Sequence, residues 1–125
     1  DQDITIIPYS PLGGGLLTGK YAQGGTGRLT DDKRYQARYD QSWMHDTATA
    51  LADLARDIGT DPATLAVAWA AAHPAKLHPI ISARSVAQLM PSLDAEQFDL
   101  SPELYAQITG LSLTPAPATD RLEEA

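Results

Sequence analysis

The apolar residues of this chain fall into two short runs and several helical stripes. Ile4, Ile6, Ile7 and Tyr9 form a β-branched and aromatic run closed by Pro11 and by Gly13, Gly14 and Gly15, which predicts a buried strand over 4–9 that ends in a loop. Residues 20–41 are polar and lack a sustained period, so they read as one long loop. Over 42–58, Ala48, Leu51, Leu54, Ala55 and Ile58 recur at intervals of three and four, and Gly59 supplies a stop; this is an amphipathic helix. Asp61 followed by Pro62 starts another helix, running to about residue 72, because the carboxylate accepts from orphan N–H groups and a first-turn proline has none to lose. Its Leu65, Ala66, Ala68, Trp69 and Ala72 cover much of the circumference. A second short strand is predicted over 77–82. A helix then opens at Ser85 and runs to about Leu89, with Pro91 shortening or bending it. Ser101 and Pro102 cap a last helix to about residue 111, and Pro115, Pro117, Glu123 and Glu124 mark a loose tail over 112–125.

Strand, loop, two helices, strand, helix, helix is a β/α alternation, so the expected class is α/β, with two parallel strands joined by crossover helices. Two strands make no stable sheet by themselves. The chain opens on Asp1 and is apolar by Ile4, the pattern expected of a fragment excised from a longer polypeptide. The expected division is a structured part over 1–111 and the tail over 112–125.

Composition removes several classes of function. With 43% hydrophobic and 20% charged residues, the chain is of the globular kind. Its formal charge of −7 argues against a nucleic-acid partner, which needs a basic footprint. The absence of cysteine excludes disulfides, thiolate nucleophiles and cysteine-held metal. No apolar stretch nears the roughly 20 residues that span a bilayer, and the start lacks a signal-peptide pattern, so no membrane partner and a cytoplasmic location are expected. His45, His73 and His78 lack ligand spacing and are assigned neither to metal nor to catalysis.

Gly14 to Lys20 has the G-x-x-x-x-G-K spacing of a triphosphate loop, but Tyr21 stands where a magnesium-holding Ser or Thr is required. Gly13 and Gly15 fit the first two places of a dinucleotide fingerprint, and its third falls on Thr18. The longer string Ile7-Pro8-Tyr9-Ser10-Pro11-Leu12-Gly13-Gly14-Gly15-Leu16-Leu17-Thr18-Gly19-Lys20-Tyr21 resembles the seventh strand and following loop of aldo-keto reductases. The stretch Asp61-Pro62-Ala63 with Leu65, Ala66, Ala68 and Trp69 is similar to that family's seventh helix. The run Ile80-Ile81-Ser82-Ala83-Arg84-Ser85-Val86-Ala87-Gln88-Leu89 is similar to its eighth strand and phosphate-binding turn. The sequence departs from the family's usual pattern at Ser82, Pro91 and Ser92.

The resemblance implies the C-terminal portion of a (β/α)8 TIM barrel, its seventh and eighth units, holding NADP. A whole barrel takes roughly 250 residues. Tyr9 would lie against the nicotinamide, a flat face being a fit platform for a planar ring; its alternative role is a core tyrosine. Ser10, Leu12 and Gly14 would meet the pyrophosphate and sugar through hydroxyl and backbone N–H groups, or form a plain turn. Lys20 and Arg28 are candidates for the same anion, or solvated charges. Ser82, Ala83 and Arg84 would take the 2′-phosphate, with Arg84 beside a helix start, and Gln88 would reach the adenine. The family's catalytic Asp, Tyr, Lys and His belong to earlier strands, so no catalytic residue is expected in this chain, which alone would be inactive. The intact enzyme would reduce aldehydes or ketones, a small carbonyl substrate, with NADPH. The alternative is a non-catalytic nucleotide-binding or interaction module of the same origin, such as a sensor or a channel-associated subunit.

Overall fold

The computed structural model describes residues 3–114. Its helices are α1 (Arg28–Asp31), α2 (Lys33–Arg38), α3 (Ser42–Ile58), α4 (Pro62–Ala71), α5 (Val86–Asp94) and α6 (Pro102–Thr109), with single 3-10 turns at Leu16–Thr18 and Ala95–Gln97.

Helix α4 is the centre of the assembly. Asp61 caps it, its Oδ1 accepting from the Ala63 N–H at 2.8 Å, with Pro62 in the first turn. Ala63, Thr64, Leu65, Ala66, Val67 and Ala68 are all buried; a helix apolar all round needs neighbours on every side. Helix α3 supplies one through Leu51 and Ala55, and α6 closes the same cluster with Ile108. Leu12 and Leu17 reach this cluster from the glycine-rich turn. Trp69 stacks on Tyr105, centroids 5.9 Å apart, and donates from Nε1 to Thr109 Oγ1 at 2.8 Å. A smaller cluster of Leu16, Leu29 and Ala48 carries the face between α3 and the α1 segment. Helix α3 ends where expected, the Gly59 N–H closing on the Ala55 carbonyl at 2.9 Å.

The structure corrects the α/β expectation. Among the described residues there is no strand or sheet, so neither the two parallel strands nor the piece of a TIM barrel is present; the structured part is helical. The segments expected as strands run side by side, and His78 N–H donates to Ile6 O at 3.0 Å and Ile80 N–H to Pro8 O at 2.9 Å. Both bonds run in one direction. Pro8 has no N–H to return one, and Ser10, at φ +57°, turns the chain away. Without further neighbours the run that was expected to be buried lies open: Ile4, Ile7 and Ile80 are 72%, 56% and 54% exposed.

Three smaller expectations also change. The long loop over 20–41 contains α1 and α2, because Leu29 finds a buried place and Asp32 caps α2 by accepting from the Arg34 N–H at 2.9 Å. Helix α5 continues through Pro91 to Asp94. The ring removes one backbone donor, but the Pro91 carbonyl is bonded by Thr64 Oγ1 at 2.6 Å, which ties α5 to α4. Helix α6 stops at Thr109, two residues short of Leu111. Most of the expected tail, residues 115–125, lies outside the described residues.

Candidate functional site

A cleft of about 680 Å³ opens between the glycine-rich turn and the turn before α5. That lies inside the roughly 300–1,000 Å³ range of small-molecule and cofactor sites. Each of the ten residues singled out in the sequence lines it. Ser10 and Arg84, 74 positions apart in the chain, therefore share one cavity.

One wall is the turn from Ser10 to Gly19. Short local bonds fold it, Gly13 N–H to Ser10 O at 3.0 Å and Gly15 N–H to Leu12 O at 3.1 Å among them. Ser10 is left-handed at φ +57°, a conformation that costs a non-glycine residue about 1–3 kcal/mol and persists where its surroundings enforce it. Gly14 is left-handed at φ +67°, and a Cβ there would stand 2.8 Å from Tyr35 Cδ1. The turn is therefore backbone-faced on the cleft side and filled by Tyr35 behind. Tyr9, at the edge of this wall, is 76% exposed in this chain.

The opposite wall is the turn of Ser82, Ala83 and Arg84, leading into α5. Ser85 caps that helix by accepting from the Gln88 N–H at 3.2 Å, and Gln88 Oε1 accepts in return from the Arg84 N–H at 3.1 Å. This reciprocal cap fixes the backbone that carries Arg84. It also engages the Gln88 carbonyl oxygen locally rather than across the cleft.

Three cations face the cavity. Lys20 Nζ lies 4.9 Å from the Tyr21 ring centroid, the Arg28 guanidinium lies 5.5 Å from that of Tyr35, and Arg84 is exposed. The ion pairs formed among the described residues are Arg34 with Asp32 and Arg56 with Asp53. Lys20, Arg28 and Arg84 thus have no carboxylate partner there. Two cations beside the glycine turn and one on the opposite wall, none of them ion-paired among the described residues, suit an anion of extended shape.

The cleft has members that the sequence did not single out. Asp61 and Thr18 line it, and Thr18 Oγ1 donates to Gly15 O at 2.7 Å. The Asp61-Pro62 pair signalled a helix start, and nothing in its spacing signalled a second role. The histidines lie apart from the cleft lining: the His45 ring meets Tyr39 O at 2.9 Å, and His73 Nδ1 accepts from the Ala75 N–H at 3.1 Å. Among the described residues, no helix is long and apolar enough to cross a membrane.

Comparison with known proteins identifies the family. Residues 1–113 match the Aldo/keto reductase family, whose members generally use a nicotinamide cofactor. An "Uncharacterized oxidoreductase YrpG" of Bacillus subtilis (strain 168) is 30% identical over 112 residues, covering 89% of this chain and 33% of that protein. "Protein tas" of Escherichia coli (strain K12) is 31% identical over 110 residues, covering 86% and 32%. A "Probable voltage-gated potassium channel subunit beta" of Oryza sativa subsp. japonica is 32% identical over 111 residues, covering 82% and 32%. The chain spans about a third of the length of the curated relatives it matches. With nearly its whole length matched, the chain belongs to the aldo/keto reductase family.

Proposed function

We propose that this chain is the C-terminal, cofactor-holding part of an NADP-dependent aldo-keto reductase that converts aldehydes or ketones to alcohols. The observation that carries the reading is the convergence of Ser10, Gly14, Lys20, Arg28 and Arg84 on one cleft. In this reading the glycine turn meets the pyrophosphate with backbone N–H groups, Lys20 and Arg28 offset its charge, and Arg84 takes the 2′-phosphate as a planar fork. Tyr9 offers its open face to the nicotinamide. Bound NADPH supplies the hydride; this chain binds and orients, and a tyrosine outside it gives the proton. The working unit is residues 1–111, with 112–125 as an appended tail.

Titration of NADPH and NADH fluorescence against the purified chain and Arg84→Ala tests this. A charge-assisted phosphate contact contributes about 1.5–3 kcal/mol, so Arg84→Ala should weaken NADPH roughly tenfold or more and leave NADH within about twofold. Absence of NADPH binding by the unaltered chain removes the reading. Equal affinities for the two dinucleotides remove the NADP preference alone.

A second reading, a non-catalytic nucleotide-binding module, is favoured by the similarity to the protein named as a potassium channel subunit. It shares the cleft and differs in predicting no carbonyl reduction by the whole polypeptide that contains this chain.

A further inference from the structure

Tyr21 is not among the residues lining the cleft, yet it touches three parts of the wall that faces it. Its hydroxyl donates to Gly14 O in the glycine turn, at 3.4 Å, and accepts from the Leu29 N–H in α1, at 3.2 Å. Its ring carries Lys20 Nζ at 4.9 Å. The room for this is made by glycines on either side. A Cβ on Gly27 would stand 2.8 Å from the Tyr21 oxygen and 2.5 Å from Lys20 Nζ, and one on Gly15 would stand 3.6 Å and 3.4 Å from the same two atoms. Gly27 is buried, so a side chain there has no route outward.

Arg28 immediately precedes Leu29, so a bond that fixes the Leu29 amide also fixes the backbone from which Arg28 extends to the cleft. One phenol thereby joins the turn that supplies backbone N–H groups to the segment that supplies a cation, and seats a second cation on its ring. We propose that Tyr21 is a positioning residue that holds Lys20 and Arg28 at the cleft before any ligand arrives, the ligand chemistry being the pyrophosphate of a dinucleotide. This rests on the dinucleotide-binding reading above.

The test uses Tyr21→Phe, which keeps the ring and removes the hydroxyl. NADPH and NADH share the pyrophosphate, so the variant should weaken both by the same factor, about fivefold, unlike Arg84→Ala. Adding Tyr21→Phe to Arg28→Ala should cost less than about twofold more, because the hydroxyl acts largely through Arg28. Losses that multiply fully in the double variant, or affinities within about twofold of the unaltered chain, overturn the proposal. Amide hydrogen exchange of the ligand-free full chain supplies an independent readout. Leu29 should exchange faster in Tyr21→Phe while Ala55 in the core is unchanged. Unaltered Leu29 exchange overturns the positioning role, and so does faster exchange at both sites, which marks a general loss of structure. If the unaltered chain binds neither dinucleotide, the functional reading fails on that result, whereas the Leu29 measurement still decides whether Tyr21 holds the α1 segment.

Discussion

Gly14→Ala probes the central claim about the glycine turn, that backbone faces the cleft because a side chain packs against its other side. Two costs add at this position. An alanine at φ +67° sits in the left-handed region, at about 1–2 kcal/mol. The new Cβ would also meet Tyr35 Cδ1 at 2.8 Å and Leu29 Cδ1 at 3.1 Å, and forcing an extra methyl into packed surroundings costs about 1–3 kcal/mol. The sum is about 2–5 kcal/mol. Gly24 isolates the first part: its φ is +79°, and a Cβ there meets nothing within 4 Å. Urea unfolding of the two variants should therefore show Gly14→Ala less stable than Gly24→Ala by about 1–3 kcal/mol. Adding Tyr35→Ala to Gly14→Ala should return part of that difference and leave the backbone part in place. Equal losses for Gly14→Ala and Gly24→Ala would refute the packing argument, since the only cost left in common is the backbone one.

Other consequences can be checked separately. Tyr9→Ala should weaken NADPH about fivefold through lost stacking while leaving the unfolding midpoint unchanged, since the ring is 76% exposed; a matching loss of stability would place Tyr9 in the fold instead. Asp61→Ala should cost about 1 kcal/mol in urea unfolding, because its Oδ1 accepts the Ala63 N–H; helical circular dichroism follows the change. The Asp32 carboxyl is held below its ordinary value of 3.8 chiefly by its hydrogen bond from the Arg34 side chain. A depressed folded value means that the contribution is present above 3.8 and is lost as pH falls through the lower folded value. Protection of the Arg34 amide, taken relative to the exchange rate of an unstructured amide at the same pH, should therefore fall in acid, and Asp32→Asn should flatten that dependence.

The helices were legible because each carries its own punctuation. Gly59 ends α3, and Asp61, Ser85 and Ser101 each accept a backbone N–H at a helix start, all within a few residues of the element they bound. The sheet was misread because pairing is not local. Ile4, Ile6 and Ile7 have a strand's composition, but Pro8 interrupts the donor row, and a run of isoleucines says nothing about neighbours on its other side. Helices α1 and α2 are not legible in the sequence because they are only four and six residues long. Leu29 alone is buried there, too little to set a period. Of the ten expected cleft residues, all but Arg28 stand in the family-like strings; Asp61 and Tyr21 stand in them too, but a helix cap already accounts for Asp61, and nothing in the spacing around Tyr21 gives it a role beside the cleft.

That the cleft keeps its ten expected residues together without a sheet to hold them has a physical cause. Each wall is a turn folded by its own short-range bonds, and each is anchored on α4. On one side Leu12 and Leu17 enter the cluster that contains Leu65 and Ala66. On the other, Thr64 of α4 bonds the carbonyl of Pro91, and Ser92 is buried beside it. The distance between the walls thus follows from where Thr64 and Leu65 point from one helix, whose register is fixed by the Asp61 cap, together with the Ile80 N–H to Pro8 O bond that joins the two segments. A shift of that register by one residue would turn these neighbours by about 100° and separate Ser10 from Arg84, so the arrangement of the site depends on the start of α4 more than on either loop.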